Sequence, residues 1–134
     1  MIMQSGVIPY FIENDTIKYV LVTSTSDPNQ WIFPKGMREP NMTAWQSAEI
    51  EGIEEAGVYG EISTQICTSY RYQKWTAALC HVDMYLLKVV ELAPSWVEDM
   101  FRRRRVCTYD EAFSLLCERV RPILFTAQQQ LTKK

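Results

Sequence analysis

The chain has one histidine and no Cys-x-x-Cys pair among its four cysteines, so the usual ligand spacings of a zinc site are missing. It has no surplus of positive charge. Its 14 Lys+Arg stand against 16 Asp+Glu, for a net charge of −2, whereas a nonspecific nucleic-acid binder needs a strong basic excess. No apolar run approaches the ~20 residues of a bilayer-crossing helix. Met1 to Gly6 lack the basic region and long apolar stretch of a secretion signal. Repeats, linkers and low-complexity segments are absent too. What remains is ordinary globular composition, 47% hydrophobic and 22% charged, which excludes intrinsic disorder. A length of 134 residues fits one domain spanning 1–134. The expectation is a soluble cytoplasmic domain that needs no disulfide staples, with Cys67, Cys80, Cys107 and Cys117 reduced.

Gly6–Glu13 and Ile17–Thr23 read as strands around a turn at Asn14-Asp15-Thr16. Trp31-Ile32-Phe33 is a short apolar strand stopped by Pro34, followed by a loop from Lys35 to Asn41. Thr43 with Gln46 forms a capping-box pattern, predicting a helix that runs to Ala56 and stops at Gly57. Val58–Ser63, Ile66–Tyr72 and Ala77–Val90 read as strands, as does the short Val106-Cys107. Thr108 with Glu111 repeats the capping box before a helix over Ala112, Phe113, Leu115 and Leu116, and Pro122 suits the first turn of a last helix. Strands with interspersed helices in one layer set predict an α+β fold.

The chemistry concentrates on the first helix. Glu51, Glu54 and Glu55 are spaced i, i+3, i+4, which places them within about 100° of one helix face. Three carboxylates so close repel, and helix stability alone does not select them; a solvated acidic face is the plain alternative. Mg²⁺, with Mn²⁺ as second choice, takes hard oxygen ligands and would offset the repulsion. Lys35 and Arg38 in the preceding loop could then contact the outer phosphates of a metal-bound polyphosphate.

These residues resemble a known pattern. Gly36-x5-Met42-x7-Ile50-Glu51-Gly52-x-Glu54-Glu55-x-Gly57-Val58 is similar to the Nudix box, G-x5-E-x7-R-E-U-x-E-E-x-G-U with U apolar. The glycines, the last apolar position and the three metal-binding glutamates match. Met42 stands at the first Glu, Ile50 at the Arg, and Gly52 at the first U. Gln4-Ser5-Gly6-Val7, Val20 to Ser24, Trp31 to Pro34, Trp96-x-Glu98-Asp99, the arginine run and Asp110-Glu111-Ala112 resemble the subgroup that hydrolyses diphosphoinositol polyphosphates and diadenosine polyphosphates. The resemblance implies an α/β/α sandwich around a mixed sheet and hydrolysis of a diphosphate linkage by metal-activated water. It implies Glu51, Glu54 and Glu55 as metal ligands and catalytic residues, with Glu55 at the position that also orients or deprotonates the water. It also puts Gly36 beside the phosphates. Any acid from outside the box would be Glu91, Glu98 or Asp83, and nothing in the sequence chooses among them.

In the family, the box arginine orients neighbouring carboxylates; Ile50 cannot, which predicts slower turnover. Gly52 weakens helix propensity by about 1 kcal/mol relative to Ala, and Trp45, seven residues earlier, is expected to share its packing face. Arg102–Arg105 suit multidentate phosphate contact. Alternation along a strand favours Arg104, and the resembling subgroup carries a phosphate-approaching Arg there. The bland reading is a charged strand edge. Arg71-Tyr72 and Lys74-Trp75 are cation–aromatic pairs able to meet a phosphate and a base. Ser26 and Gln30 stand where the subgroup has basic residues, which favours a dinucleoside polyphosphate over an inositol pyrophosphate. Two other readings remain: a binding or regulatory module that has lost useful turnover, and a hydrolase of oxidised nucleoside triphosphates. The ligand is a phosphorylated small molecule, with membrane and nucleic acid disfavoured and a homodimer left open.

Overall fold

The computed structural model describes residues 1–74 and 76–133. Its organising element is β1 (Ile2–Glu13), which begins four residues before the sequence pattern suggests. A two-residue turn joins it to β2 (Thr16–Thr23): Asn14 and Asp15 are both left-handed, φ 52 and 63, and Glu13 pairs with Thr16. That geometry suits the right-handed twist of a hairpin, and Asn and Asp tolerate it better than other side chains. Next come β3 (Trp31–Ile32) and β4 (Lys35–Met37). The Lys35–Asn41 loop is therefore corrected in its first half, because Lys35, Gly36 and Met37 pair with Gly6, Ser5 and Gln4 of β1.

Helix α1 (Ala44–Ala56) starts and stops as its local chemistry requires. Both halves of the Thr43–Gln46 capping box are present, and Gly57 closes the helix at φ 63, ψ 34. The strands β5 (Val58–Ile62), β6 (Thr68–Gln73) and β7 (Leu79–Leu92) follow, then β8 (Arg104–Cys107), α2 (Tyr109–Leu115), a 3₁₀ turn (Glu118–Val120) and α3 (Arg121–Thr132). Thr108 and Glu111 complete the second capping box, and Pro122 lies in the first turn of α3.

All eight strands form one sheet with the path β3-β2-β1-β7-β5; β4 adds to β1, β6 to β7 and β8 to β2. β1 and β7 are parallel and the other pairs antiparallel, so the sheet is mixed. Side chains alternate along β1, and the two faces carry different helices. On one face α1 crosses Val7 at close range. A Cβ on Gly52 would lie 2.9 Å from Val7 Cγ2 and 3.1 Å from Val58 Cγ2. Gly52 thus leaves room for the sheet valines, and Trp45 of the same helix also packs against the core. On the other face Tyr19 donates its hydroxyl to Gln128, and Gln130 donates to the Cys67 carbonyl at 3.0 Å, fastening α3. The result is an α/β/α sandwich with Ile8, Leu21, Phe33, Met84 and Leu124 fully buried, each contributing roughly 1.5–3 kcal/mol by burial. The four cysteines are free thiols. Among the described residues no helix is long and apolar enough to cross a membrane.

The segment between β7 and β8 is tied down on two sides. The Ala93 and Glu98 amides donate to the carbonyls of Gly57 and Glu54 at 2.9 and 3.0 Å. The Arg103 amide donates to Thr23 Oγ1 at 2.9 Å. This strap carries part of the arginine run across the C-terminal half of α1.

Candidate active site

Glu55 is the least exposed charged residue of α1, at 4%. Its Oε1 accepts the Lys35 backbone N–H at 3.2 Å, and its Oε2 lies 3.4 Å from Arg102 Nη2. Glu51, one turn earlier, shares a side-chain hydrogen bond with it. The Glu51 carboxylate rests against Gly36, where an added Cβ would collide with it. Gly36 therefore serves the site by leaving room for Glu51. Burial pushes Glu55 up to about 9; Arg102 pulls it down, while the bond to Glu51 and the Glu51 charge push it further up. Burial also raises Glu51, against the lowering effect of its bond to Glu55, and the charges of Glu54 and Glu98 add to the rise. Two neighbouring carboxylates whose proton affinities are both raised, chiefly by burial, are the physical signature of this face.

Glu54 and Glu98 are near enough to act on Glu51 through their charge. Still, among the described residues no three His, Cys, Asp or Glu side chains converge on one point. The triad expected on α1 is present as a close pair, Glu51 and Glu55, with Glu54 beside it. As a donor set it suits a hard divalent cation: the oxygens are carboxylate, the pair cannot carry both its charges unaided, and glycine leaves space at Gly36.

Beside this face opens a cleft of about 580 Å³ whose wall includes Lys35, Lys74, Arg102 and Arg119, and no carboxylate among the described residues. Lys35 and Arg102 belong to both features, so Glu55 lies directly under the cleft. Lys35 Nζ donates to the Tyr72 hydroxyl at 2.9 Å, which donates to Gln4 Oε1 at 2.9 Å. Burial lowers the Lys35 ammonium below its ordinary range, and Glu55 partly opposes that. Arg119 lies over the Tyr72 ring at 5.1 Å, so this aromatic stands between two cations. Ser26 and Gln30 also face the cleft, so their lack of charge bears on its ligand. Lys74 lines it as well; its neighbour Trp75 lies outside the described residues.

Two expected phosphate contacts are turned elsewhere. Arg38 pairs with Asp83 and donates to Ser5 Oγ at 3.2 Å. Arg104 Nη1 donates to the Ala56 and Ala93 carbonyls at 2.8 and 2.9 Å, and its guanidinium stacks 4.1 Å over Trp96. It caps the C-terminus of α1, where unpaired carbonyls and the helix dipole favour a cation. Strand alternation favours Arg104 only where a strand runs through all four arginines, and β8 begins only at Arg104. Arg102, still in the strap, is the member that reaches the carboxylates. Of the outside acids, Glu98 is the one at the site, bonded to Arg102 Nε at 2.8 Å. Asp83 belongs to the Arg38 network, and Glu91 is exposed at the far end of β7. Arg119 carries no signal in the sequence that would have placed it in the cleft.

A mixed sheet between helices, with a paired-carboxylate helix face beside a cationic cleft, defines the class as an α/β/α sandwich. Comparison narrows the class. Nudix hydrolase 16, mitochondrial, of Arabidopsis thaliana is 30% identical over 125 residues, spanning 81% of this chain and 68% of the relative. Nudix hydrolase 12, mitochondrial, of the same plant is 30% identical over 130 residues, spanning 83% and 64%. The chain thus spans about two thirds of the length of these relatives, and it belongs to the Nudix hydrolase family. Among solved structures, the binary complex of a C. elegans Ap4A hydrolase superposes at TM-score 0.79 with 20% identity over all of both chains. The Nudix domain of Shewanella oneidensis NrtR complexed with ADP ribose superposes at 0.79 with 11% identity, covering 98% of this chain and 89% of that one. These two share the fold. No family model matches the chain.

Proposed function

We propose that the protein is a Mg²⁺-dependent pyrophosphohydrolase that cleaves a diphosphate linkage in a nucleoside-diphosphate-linked or polyphosphorylated small molecule, with dinucleoside polyphosphates favoured over diphosphoinositol polyphosphates. The observation that carries this reading is the adjacency of the buried Glu55 and its half-buried neighbour Glu51 to a cleft that, among the described residues, is lined by four cations and no carboxylate. Family membership and the Ap4A hydrolase likeness support it. The neutral Ser26 and Gln30 in the cleft wall favour the less anionic substrate class.

Glu51 and Glu55, with Glu54 or Glu98 near them, are the residues that would hold the divalent cation. When bound, such an ion supplies Lewis-acid neutralisation of phosphate charge. Lys35, Lys74 and Arg119 bind and orient the polyphosphate, leaving one phosphorus over the carboxylates. Glu55 accepts a proton from the attacking water, a role suited to a carboxylate whose burial raises its proton affinity. The water oxygen bonds to phosphorus, the bridging P–O bond breaks, and two phosphorylated products leave. Cytoplasmic residence belongs to the same proposal.

The test is metal-dependent turnover on a panel of diadenosine polyphosphates, an inositol pyrophosphate, ADP-ribose, a capped RNA end and nucleoside triphosphates, beside Glu55→Gln. The variant is expected to fold and to lose roughly 10²-fold or more of the activity. Near wild-type turnover would remove Glu55 from the chemistry. Ligand binding without turnover on any member would establish the second reading, a regulatory module, which Ile50 and Met42 in the box favour.

A further inference from the structure

We infer that Arg102 is the resident counter-cation of the acidic helix face: it positions Glu55 and Glu98 in the metal-free protein, and a divalent cation competes with it for those carboxylates. This rests on the proposed function only in taking that face as the cation site.

The guanidinium is held as a fixed part of the fold, although it is the end of a long side chain. It is 9% exposed. Its Nε donates to Glu98 Oε1 at 2.8 Å, its Nη1 to the Thr23 carbonyl at 2.9 Å, and its Nη2 lies 3.4 Å from Glu55 Oε2. The backbone that delivers it is equally constrained. Glu98 is bonded through its amide to the Glu54 carbonyl, Arg102 through its amide to the Glu98 carbonyl at 3.0 Å, and Arg103 to Thr23. So β2, α1 and the strap all converge on one positive charge between two carboxylates. No residue of α1 itself supplies that charge, since Ile50 precedes Glu51, and the Lys35 ammonium is directed to Tyr72 instead.

A planar fork bridging two carboxylates fixes their rotamers, and the same fixed charge repels an incoming dication at a few ångströms. Arg102 also lines the cleft. Once a dication takes over Glu55 and Glu98, its guanidinium is free to meet the phosphates there. Cation and polyphosphate should therefore bind with positive coupling.

The test titrates Mn²⁺, followed by the electron paramagnetic resonance signal of the free aquo ion, into the full chain and into Arg102→Met and Arg102→Lys. The Met variant keeps the bulk and loses the charge; the Lys variant keeps the charge and loses the fork. Expected is roughly tenfold or tighter Mn²⁺ binding by Arg102→Met, with Arg102→Lys close to wild type. Unchanged or weaker binding by Arg102→Met, an equal change in both variants, or no Mn²⁺ binding by any of the three overturns the inference. Should Arg102→Met fail to fold, the wild-type protein decides: the Arg102 Nε–H resonance should move on Mg²⁺ addition, and a static resonance with Mg²⁺ bound overturns it. Hydrolysis with equal Mn²⁺ affinities sinks this inference alone. Tighter binding without turnover sinks the hydrolase reading alone.

Discussion

Among the described residues two carboxylates are almost hidden from solvent, Asp83 at 6% and Glu55 at 4% exposure, and their surroundings shift their proton affinities in opposite directions. Asp83 accepts from Ser69 Oγ at 2.6 Å, from His81 Nε2 at 2.8 Å and from Arg38. Burial acts to raise it, but Ser69, His81 and Arg38 outweigh burial and hold it below the usual carboxylate range. Glu55 lies deeper in protein and has Arg102 and one amide as donors, with a second carboxylate against it; there burial wins. The first cluster has enough donors and positive charge for its acid, which is how a structural ion network looks. The second is short of positive charge, and that deficit is what the proposed cation site requires.

The largest test of the contrast is Asp83→Asn. It removes the charge that Arg38 and His81 are arranged around, and a buried pair broken on one side loses on the order of 3 kcal/mol. Because the folded-state pKa is lowered, the stability Asp83 contributes is present above its unfolded pKa and is lost as pH falls through the folded value. The gap between wild type and variant in urea unfolding should therefore be full at pH 7 and shrink below about pH 4. A gap that does not vary with pH would mean that Asp83 acts through packing, and the contrast would fail on this side.

Glu55→Gln should behave in the reverse sense, with a smaller effect. Its raised folded-state pKa means that stability is fully present below the unfolded value and is lost as pH rises towards the folded value near 9. In chelator-treated protein, wild type and variant should be similarly stable near pH 5. The variant should become the more stable by about 1 kcal/mol or more towards pH 9. Curves that stay parallel across that window would show Glu55 to be as well compensated as Asp83.

The parts of this arrangement that were legible beforehand are the ones encoded within a few residues. The two capping boxes, the Gly57 stop, the Asn14-Asp15 turn and the Glu51–Glu55 spacing each follow from neighbours in sequence. What sequence misplaced depends on partners far along the chain. Arg38 is drawn to Asp83 on β7 and Arg104 to the end of α1, and neither pairing leaves a local trace. The close approach of Val7 to Gly52 is likewise a sheet-to-helix contact with no local trace. Lys35–Met37 looks like a loop in sequence because a three-residue strand with a central glycine lacks any strand pattern. Arg102 was visible only as one of four identical neighbours; the strap that selects it is a tertiary feature.

The smallest effect is the most direct probe of the deficit itself. Among the described residues Glu54 has no side-chain partner and stands outside the close pair, yet its charge raises Glu51 three residues away. Like charges at that spacing on a helix disfavour it by about 0.2–0.5 kcal/mol. Glu54→Gln should therefore stabilise the chelated protein by roughly that amount, an unusual sign for losing a charge. The gain should fade in ~1 M salt, where screening falls to about 3 Å. It should also reverse when Mg²⁺ is added, because the carboxylate then contributes attraction. A comparable change that ignores both salt and Mg²⁺ could come neither from charge nor from helix propensity, in which Gln and Glu differ little, and the electrostatic account of Glu54 would fail. A loss of stability in chelator would mean that the face already has the positive charge it needs, and the distinction from Asp83 would not hold.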